Sequence, residues 1–199
     1  MIMKKLKPLF VIIAVLSISS IGYAQGNSLK YFHAGYTRIS FDDFCLDGAS
    51  VGFAKLNPFA SKNFYWGYDL ELGYNKDKST VTIHDYENQN ADINTVKSTA
   101  LSVKFSLDLF YKVNVTESVA VFPYAGAAFR PFIGGETEQE EVILKWFDNN
   151  NGKRFQVGVE VGAKVFINRL VLGAEYQKYL TKLNQDHFSV LSLSAGWLF

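Results

Sequence analysis

The nine residues LSLSAGWLF, numbered 191–199, end the chain and have the period-two pattern of a β-strand. Successive side chains of an extended backbone point to opposite faces, so this stretch has one apolar, aromatic face and one face of mainly small or polar residues. The apolar face comprises Leu191, Leu193, Ala195, Trp197 and Phe199, and the other face comprises Ser192, Ser194, Gly196 and Leu198. We therefore predict a final strand that needs strand partners from the preceding chain.

Four further stretches alternate in the same way, and no α-helix would place their apolar residues on one face. They are 64–74 (FYWGYDLELGY), 99–109 (TALSVKFSLDL), 155–165 (FQVGVEVGAKV) and 170–177 (LVLGAEYQ). Three more strands are expected at 30–40, 50–56 and 119–132, the last interrupted by two prolines, which strands tolerate at starts and edges. The sequence thus predicts eight strands, and it leaves open which side of the first strand faces lipid.

The connections between these strands alternate in length. Counted along the chain, the odd-numbered connections include the long polar segments 75–94 and 134–152. The even-numbered connections are short, such as 167–169. Transmembrane up-and-down barrels have this asymmetry, with long loops at one end and tight turns at the other. The alternative is a soluble barrel of the lipocalin kind, whose apolar faces turn inward around a ligand.

Two features favour apolar faces that point outward into lipid. The apolar faces of the five clearest strands carry no charge, as expected where a lysine or arginine at mid-depth costs about 2–4 kcal/mol. Glycines lie on the polar faces, where they make room for larger side chains inside a narrow barrel. These glycines are Gly67, Gly73, Gly158, Gly162, Gly173 and Gly196. We therefore predict an all-β fold, an eight-stranded antiparallel up-and-down transmembrane β-barrel with aromatic girdles towards the ends of its apolar faces.

An export signal is predicted at the N-terminus. Residues 1–24 begin with three lysines, continue with an apolar run shorter than the roughly 20 residues of a transmembrane helix, and end in small residues. We expect this signal peptide to be cleaved, leaving 25–199 as a single barrel domain. The loss of three lysines changes the formal net charge from +1 to −2, so nothing favours nucleic acid as a partner. The single cysteine, Cys45, excludes an intramolecular disulfide.

The order and lengths of the predicted strands and loops in residues 29–199, together with the terminal Trp197 and Phe199, resemble those of the small outer-membrane β-barrel superfamily of OmpA-like and OmpX-like proteins. In that family the terminal aromatic residue helps the outer-membrane assembly machinery to recognise the chain. The resemblance implies this role for the two residues. It also implies that the protein lies in the outer-membrane lipid of a Gram-negative-type bacterium, where it has a structural role or binds an unknown surface ligand. We expect a monomer without a cofactor.

The interior of an eight-stranded barrel is narrow enough for side chains to fill it. Charged residues on the predicted polar faces would then be enclosed, and they must form pairs of opposite sign because unpaired charges are very costly to bury. They are Asp69, Glu71, Lys104, Asp108, Glu160, Lys164 and Glu175. We expect an internal ion network that fills the lumen. The alternative is a small porin-like channel that conducts when the pairs shift, and conductance in planar bilayers would separate the two.

A second alternative is a lipid A-modifying enzyme. The spacing of His187 and Ser189 resembles a fragment of the lipid A deacylase motif, in which a downstream acidic residue orients the histidine that activates the serine. No acidic residue follows Asp186. Glu175 on the preceding strand would have to take the place of the acidic residue that orients the histidine. The expectation is therefore a protein without catalytic or metal-binding residues.

The long loops are the predicted functional surface, because loops on a rigid scaffold carry much of binding. In the second long loop, four glutamates precede the run VILKWF at 142–147, which ends in Trp146 and Phe147. This run either extends the barrel hairpin above the membrane or offers Trp146 and Phe147 as a contact for a partner. The glutamates are a solvated run or a weak site for divalent cations.

Overall fold

The computed structural model describes residues 28–41, 44–59, 63–84, 91–139, 142–145, 154–183 and 187–199, and the predicted signal peptide lies outside these ranges. Its strands are β1 (Leu29–Ser40), β2 (Cys45–Pro58), β3 (Phe64–His84), β4 (Ala91–Tyr111), β5 (Val113–Asn114), β6 (Val119–Gln139), β7 (Val142–Lys145), β8 (Phe155–Ile167), β9 (Leu170–Tyr179) and β10 (Ser189–Leu198). Across the same ranges, no helix is long and apolar enough to cross a lipid bilayer.

Eight of these strands close a barrel within the described part of the chain. They pair antiparallel in the order β1-β2-β3-β4-β6-β8-β9-β10, and β10 pairs with β1 from Tyr31 opposite Leu198 to Ser40 opposite Ser189. The short strands β5 and β7 pair with opposite ends of β6. The predicted eight-stranded antiparallel barrel is thus confirmed, with the C-terminal strand closing the ring against the first.

The strand register determines how the barrel is tilted. The chain of opposed residues that leaves β1 at Lys30 passes through every barrel strand and returns to β1 at Ser40, ten residues further along. A shift of this size round eight strands requires the strands to tilt by about 40° from the barrel axis. Side chains that are far apart in sequence therefore meet at one level inside the barrel.

The predicted apolar faces of the strands point outward, and the charged residues of the predicted polar faces point inward. The outward residues Leu107 and Val161 are each 54% exposed, whereas Lys104 and Glu160, on the same two strands, are at most 1% exposed. Strand β1, whose lipid-facing side the sequence left open, presents Phe32 outward. Its inward face comprises Tyr31, His33, Thr37 and Ile39.

Three strands are much longer than predicted. Strands β3, β4 and β6 each have 21 residues, and the predicted long loop 75–94 is largely a paired hairpin that continues to His84 opposite Ala91. Apolar alternation could not reveal these extensions, because beyond the membrane neither face of the hairpin has to be apolar. The segment Val142–Lys145 pairs with residues 136–139 of β6, so this part of the second long loop extends a hairpin. Trp146 and Phe147 lie outside the described residues.

The two ends of the barrel differ. Leu29, where β1 begins, and Leu198, where β10 ends, lie at the end with the short connections, and we call it the turn end. The opposite end, where β3, β4 and β6 project, carries the longer connections, and we call it the loop end. The loop end also has an exposed ion pair, in which Nε of Arg38 lies 2.7 Å from Asp47 Oδ1.

Candidate functional site

The barrel lumen contains all seven charged residues that the sequence placed there. The alternation of β3, β4, β8 and β9 turns their polar residues towards the axis, and each of the seven is at most 6% exposed. Their opposed registers bring them to neighbouring levels of the tilted barrel. Five of the seven form one cluster, which consists of Lys104, Lys164, Asp69, Glu160 and Glu175. Glu71 belongs to a second cluster. Asp108 has no cation within 4 Å among the described residues.

Lys104 is the centre of the first cluster. Its Nζ lies 2.7 Å from Glu175 Oε1, 3.7 Å from Asp69 Oδ2 and 3.8 Å from Glu160 Oε2. The second ammonium group, Lys164 Nζ, lies 3.4 Å from Asp69 Oδ2 and 4.0 Å from Glu175 Oε2. Two cations thus share two carboxylates, and the shared geometry ties β3, β4, β8 and β9 together across the lumen.

Arg130 of β6 organises the second cluster, and the sequence reading missed it. It is fully buried, and its Nη2 donates to Glu71 Oε1 at 3.2 Å and to Gln177 Oε1 at 3.1 Å. Its Nε donates to the Tyr179 hydroxyl at 2.9 Å, and its Nη1 donates to Ser102 Oγ at 3.0 Å. A signal was present, because Arg130 is the single charge in the apolar stretch 119–133, and a membrane barrel can enclose such a charge only by turning it inward.

A glutamine joins the two clusters. Gln177 accepts a hydrogen bond from Arg130, accepts another from the Tyr179 hydroxyl at 2.6 Å, and donates through Nε2 to Glu175 Oε1. Because Glu175 is the closest partner of Lys104, Gln177 connects the Lys104 cluster to the Arg130 cluster. The two clusters therefore form one network along the barrel axis.

Two aromatic side chains complete the network, and both lie over glycines. His33 Nε2 lies 2.9 Å from Asp69 Oδ1, and the Tyr124 hydroxyl donates to Glu175 Oε2 at 2.5 Å. A Cβ atom placed on Gly52 would lie 2.5 Å from the His33 ring, and one on Gly162 would lie 2.6 Å from the Tyr124 ring. The absence of a side chain at these two glycines is what allows each ring to reach its carboxylate.

Apolar side chains fill the barrel on both sides of the network. The cluster at the turn end comprises Tyr31, Ala54, Leu56, Tyr65, Phe110, Phe122, Tyr124, Phe166 and Val171. The cluster at the loop end comprises Ile39, Phe41, Leu46, Ala100, Ala128, Phe132, Tyr179, Leu183, Phe188 and Val190. We refer to them as the turn-end plug and the loop-end plug. They separate the ionic network from water, so its charges interact in an environment of low dielectric constant.

The C-terminal residues lie on the outer surface at the turn end. Trp197 is 57% exposed and Phe199 is 62% exposed, both on the lipid-facing side. The backbone N–H of Phe199 donates to the carbonyl oxygen of Lys30 at 3.0 Å, and its ring stacks on Phe32 with centroids 5.0 Å apart. The last residue therefore helps to close the barrel as well as ending the chain.

The geometry does not assemble the deacylase arrangement. His187 is exposed, and Phe188 beside it is buried in the loop-end plug. Glu175 points into the lumen, where its two carboxylate oxygens contact Lys104 and Tyr124. It is therefore not positioned to orient His187. Among the residues whose positions are described, no group of three or more histidine, cysteine, aspartate or glutamate side chains could hold a metal ion.

Comparisons with known proteins agree with this architecture. The family described as the outer membrane protein beta-barrel domain matches residues 10–199 of the chain. A major outer membrane protein from Thermus thermophilus is similar with a TM-score of 0.51 and 14% identity over 87% of this chain and 100% of that one. The outer membrane enzyme PagL is similar with a TM-score of 0.50 and 16% identity over 85% and 98%.

A third similar structure is Ail, the attachment invasion locus protein of Yersinia pestis, with a TM-score of 0.48 and 14% identity over 88% of this chain and 100% of that one. At 14% and 16% identity, the likeness to the Thermus protein and to PagL concerns the fold alone. The comparison with curated proteins gave no match.

Proposed function

Because the chain belongs to the outer membrane protein beta-barrel domain family, we propose that it is a non-enzymatic monomer whose closed barrel anchors a protruding β-sheet outside the cell. The protein lies in the lipid of the outer membrane and has a structural or surface-interaction role. In this class of barrel the short turns face the periplasm and the longer loops face outward. The loop end is therefore the extracellular end.

The observation that carries the proposal is the length of β3, β4 and β6. Each has 21 residues, whereas β9 and β10 have 10 residues, which is the length needed to cross the hydrocarbon layer at a tilt. At about 3.3 Å per residue, the eight residues of β3 beyond its pairing with β2, 77–84, project roughly 26 Å along the strand direction. We call residues 77–84, 91–99, 134–139 and 142–145 the protruding sheet.

Pairing within the protruding sheet favours a preformed binding surface. Strand β2 accompanies β3 only as far as Asp47 opposite Lys76, so β3 beyond that point is paired on its β4 side alone among the described residues. Side chains also connect β4 to β6, with Lys97 Nζ 3.4 Å from Glu138 Oε2 and Ser98 Oγ 3.1 Å from Thr137 Oγ1. A surface that is already ordered loses little conformational entropy when it binds a ligand.

We expect a shortened sheet to abolish surface binding without affecting the barrel. In the test variant, an Asn-Gly turn replaces residues 79–96, so that Lys78 and Lys97, which are opposed in the native hairpin, still flank the connection. Heat-dependent gel mobility should be that of the wild type, because the lumen and both plugs are retained. Adhesion of cells displaying the variant to immobilised extracellular-matrix proteins and glycans should be lost.

The control variant keeps the length of residues 79–96 and their alternation but permutes the residues within each face. It should fold and lose specific adhesion, since it retains a sheet without the native surface. Undiminished adhesion by the shortened variant would contradict the proposal. So would a stable open state of the wild type in planar bilayers, because the proposal requires a filled lumen.

A separate prediction concerns the predicted recognition of the C-terminus by the assembly machinery. Phe199→Ala and Phe32→Ala each remove the same ring stacking, so both should lower the stability of the refolded barrel by a similar amount. Only Phe199→Ala should strongly reduce the amount of folded protein in the outer membrane of cells, because only it alters the terminal aromatic residue. Equal losses of the two variants in cells would assign Phe199 a packing role alone.

A further inference from the structure

Two carboxyl groups meet inside the barrel across a glycine. Asp108 of β4 is opposed to Gly126 of β6, and Gly126 is opposed to Glu160 of β8, so the three residues form one row across three strands. A Cβ atom on Gly126 would lie 2.0 Å from Asp108 Oδ1. The Asp108 side chain therefore occupies the space above Gly126, where it comes within hydrogen-bonding reach of Glu160.

The oxygens at this contact have no donors. Both carboxylate oxygens of Glu160 and Oδ1 of Asp108 are buried and without a hydrogen-bond partner, while Asp108 Oδ2 accepts from Ser106 at 2.9 Å. Lys104 Nζ is 3.8 Å from Glu160, beyond hydrogen-bonding distance, and is held by Glu175 at 2.7 Å. Two ionised carboxylates in such a place would repel each other with only the distant Lys104, shared with Glu175 and Asp69, to compensate them, whereas a single proton converts the contact into an O–H···O hydrogen bond.

The charges in the lumen lead to the same conclusion. Among the described residues, the buried acids that face inward are Asp69, Glu71, Asp108, Glu160 and Glu175, and the buried cations that face inward are Lys104, Arg130 and Lys164. The remaining buried cation, Lys55, is at a position of β2 whose side chain faces away from the lumen. The five acids outnumber the three cations, so a bound proton lowers the uncompensated negative charge of the lumen.

We propose that Asp108 and Glu160 form a proton-binding site that holds one dissociable proton in the folded barrel. The groups that face it are Lys104 from β4, Tyr124 from β6 and Glu175 from β9, with Lys164 further along β8. At neutral pH both carboxyl groups of the unfolded chain are ionised, so the folded chain binds more protons than the unfolded chain. The stability of the barrel consequently falls as the pH rises from about 4, where the carboxyl groups of the unfolded chain ionise, to the pH at which this proton leaves the folded barrel.

The test compares Glu160→Gln with Glu175→Gln in the full barrel, refolded in lipid vesicles and unfolded with urea over a series of pH values. The unfolding equilibrium constant of the wild type should increase by up to about tenfold per pH unit from about pH 5 upward, and it should level off where the proton leaves the folded barrel. Glu160→Gln should remove most of this slope and leave the neutral-pH stability nearly unchanged, because its amide can donate to Asp108 as the proton does. Glu175→Gln should be destabilised at every pH and keep the slope, because Glu175 has a cation partner.

A spectroscopic measurement checks the proton directly. The infrared spectrum of the wild type at neutral pH should contain the C=O stretching band of a protonated carboxyl group, and Glu160→Gln should lack it. Gly126→Ala should also weaken the band, because the added methyl group would clash with the Asp108 carboxyl group and with the backbone of β4 at Leu107, and so separate Asp108 from Glu160. Absence of the band in the wild type, or equal pH slopes in the wild type and Glu160→Gln, would overturn the proposal in favour of two ionised carboxylates solvated by water.

Discussion

Lys104→Met is expected to lower the free energy of unfolding of the barrel by about 3–5 kcal/mol, the cost of removing one partner from a buried charge cluster. Methionine has a similar length and no charge, so the lumen stays filled while Glu175 and Asp69 lose their shared ammonium group. The neighbouring Lys164 cannot replace it, because its Nζ lies 4.0 Å from Glu175 and is already 3.4 Å from Asp69. Urea unfolding of the refolded protein measures the loss.

The matched control is Lys97→Met, on the same strand but in the protruding sheet. The Lys97–Glu138 pair is about half exposed on both sides, and exposed pairs are typically worth less than about 1 kcal/mol. A second control combines Lys104→Met with Glu175→Gln, which should recover part of the loss because one uncompensated carboxylate is removed. If Lys104→Met and Lys97→Met were equally stable, the lumen charges would be solvated rather than sealed between the plugs.

Arg130→Met should have an effect of similar size, also about 3–5 kcal/mol. The change removes all four donors that hold Glu71, Gln177, Tyr179 and Ser102, and it leaves the Glu71 carboxylate buried without its cation. The loop-end plug should loosen as well, because the Tyr179 ring belongs to it and stacks on Phe188 with centroids 4.4 Å apart. Urea unfolding and the rate of amide exchange in β9 measure the two effects.

The control for this prediction is Arg38→Met at the loop end. Arg38 also makes two hydrogen bonds to a carboxylate, Asp47, but its side chain is 47% exposed, and water can replace the guanidinium. No measurable change in stability is expected. If Arg130→Met unfolded with the wild-type midpoint, the buried position of Arg130 and its role in the network would both be wrong.

The two predictions should also be coupled. Gln177 connects Arg130 to Glu175, and Glu175 is the nearest partner of Lys104. Residues within one hydrogen-bonded network show interaction energies when they are changed together. The double variant should therefore lose less stability than the two single losses combined, provided that it still folds, because the first change already disrupts part of what the second removes.

The charged lumen was predictable in content but not in detail. Alternation identifies the seven charged residues as members of the polar faces, since a membrane barrel has only an inside and an outside for its side chains. Alternation did not identify Arg130 or His33, because β6 is interrupted by prolines and both faces of β1 contain aromatic residues. Nor could it show that Asp108 meets Glu160 instead of a cation, because that contact depends on Gly126 lying between them.

The amino-acid order predicts the all-β class and the eight strands from a period of two along the chain. It predicts the outward direction of the apolar faces from their lack of charge and from the glycines on the polar faces, and the closing role of residues 191–199 from their alternation and terminal aromatic residues. Three features appear only once the strands are paired. They are the partners of each buried charge, the continuation of β3, β4 and β6 beyond the membrane, and the plugs that seal the lumen. They depend on the register between strands and on the ten-residue shift round the barrel, which bring together residues from distant strands that no local pattern relates.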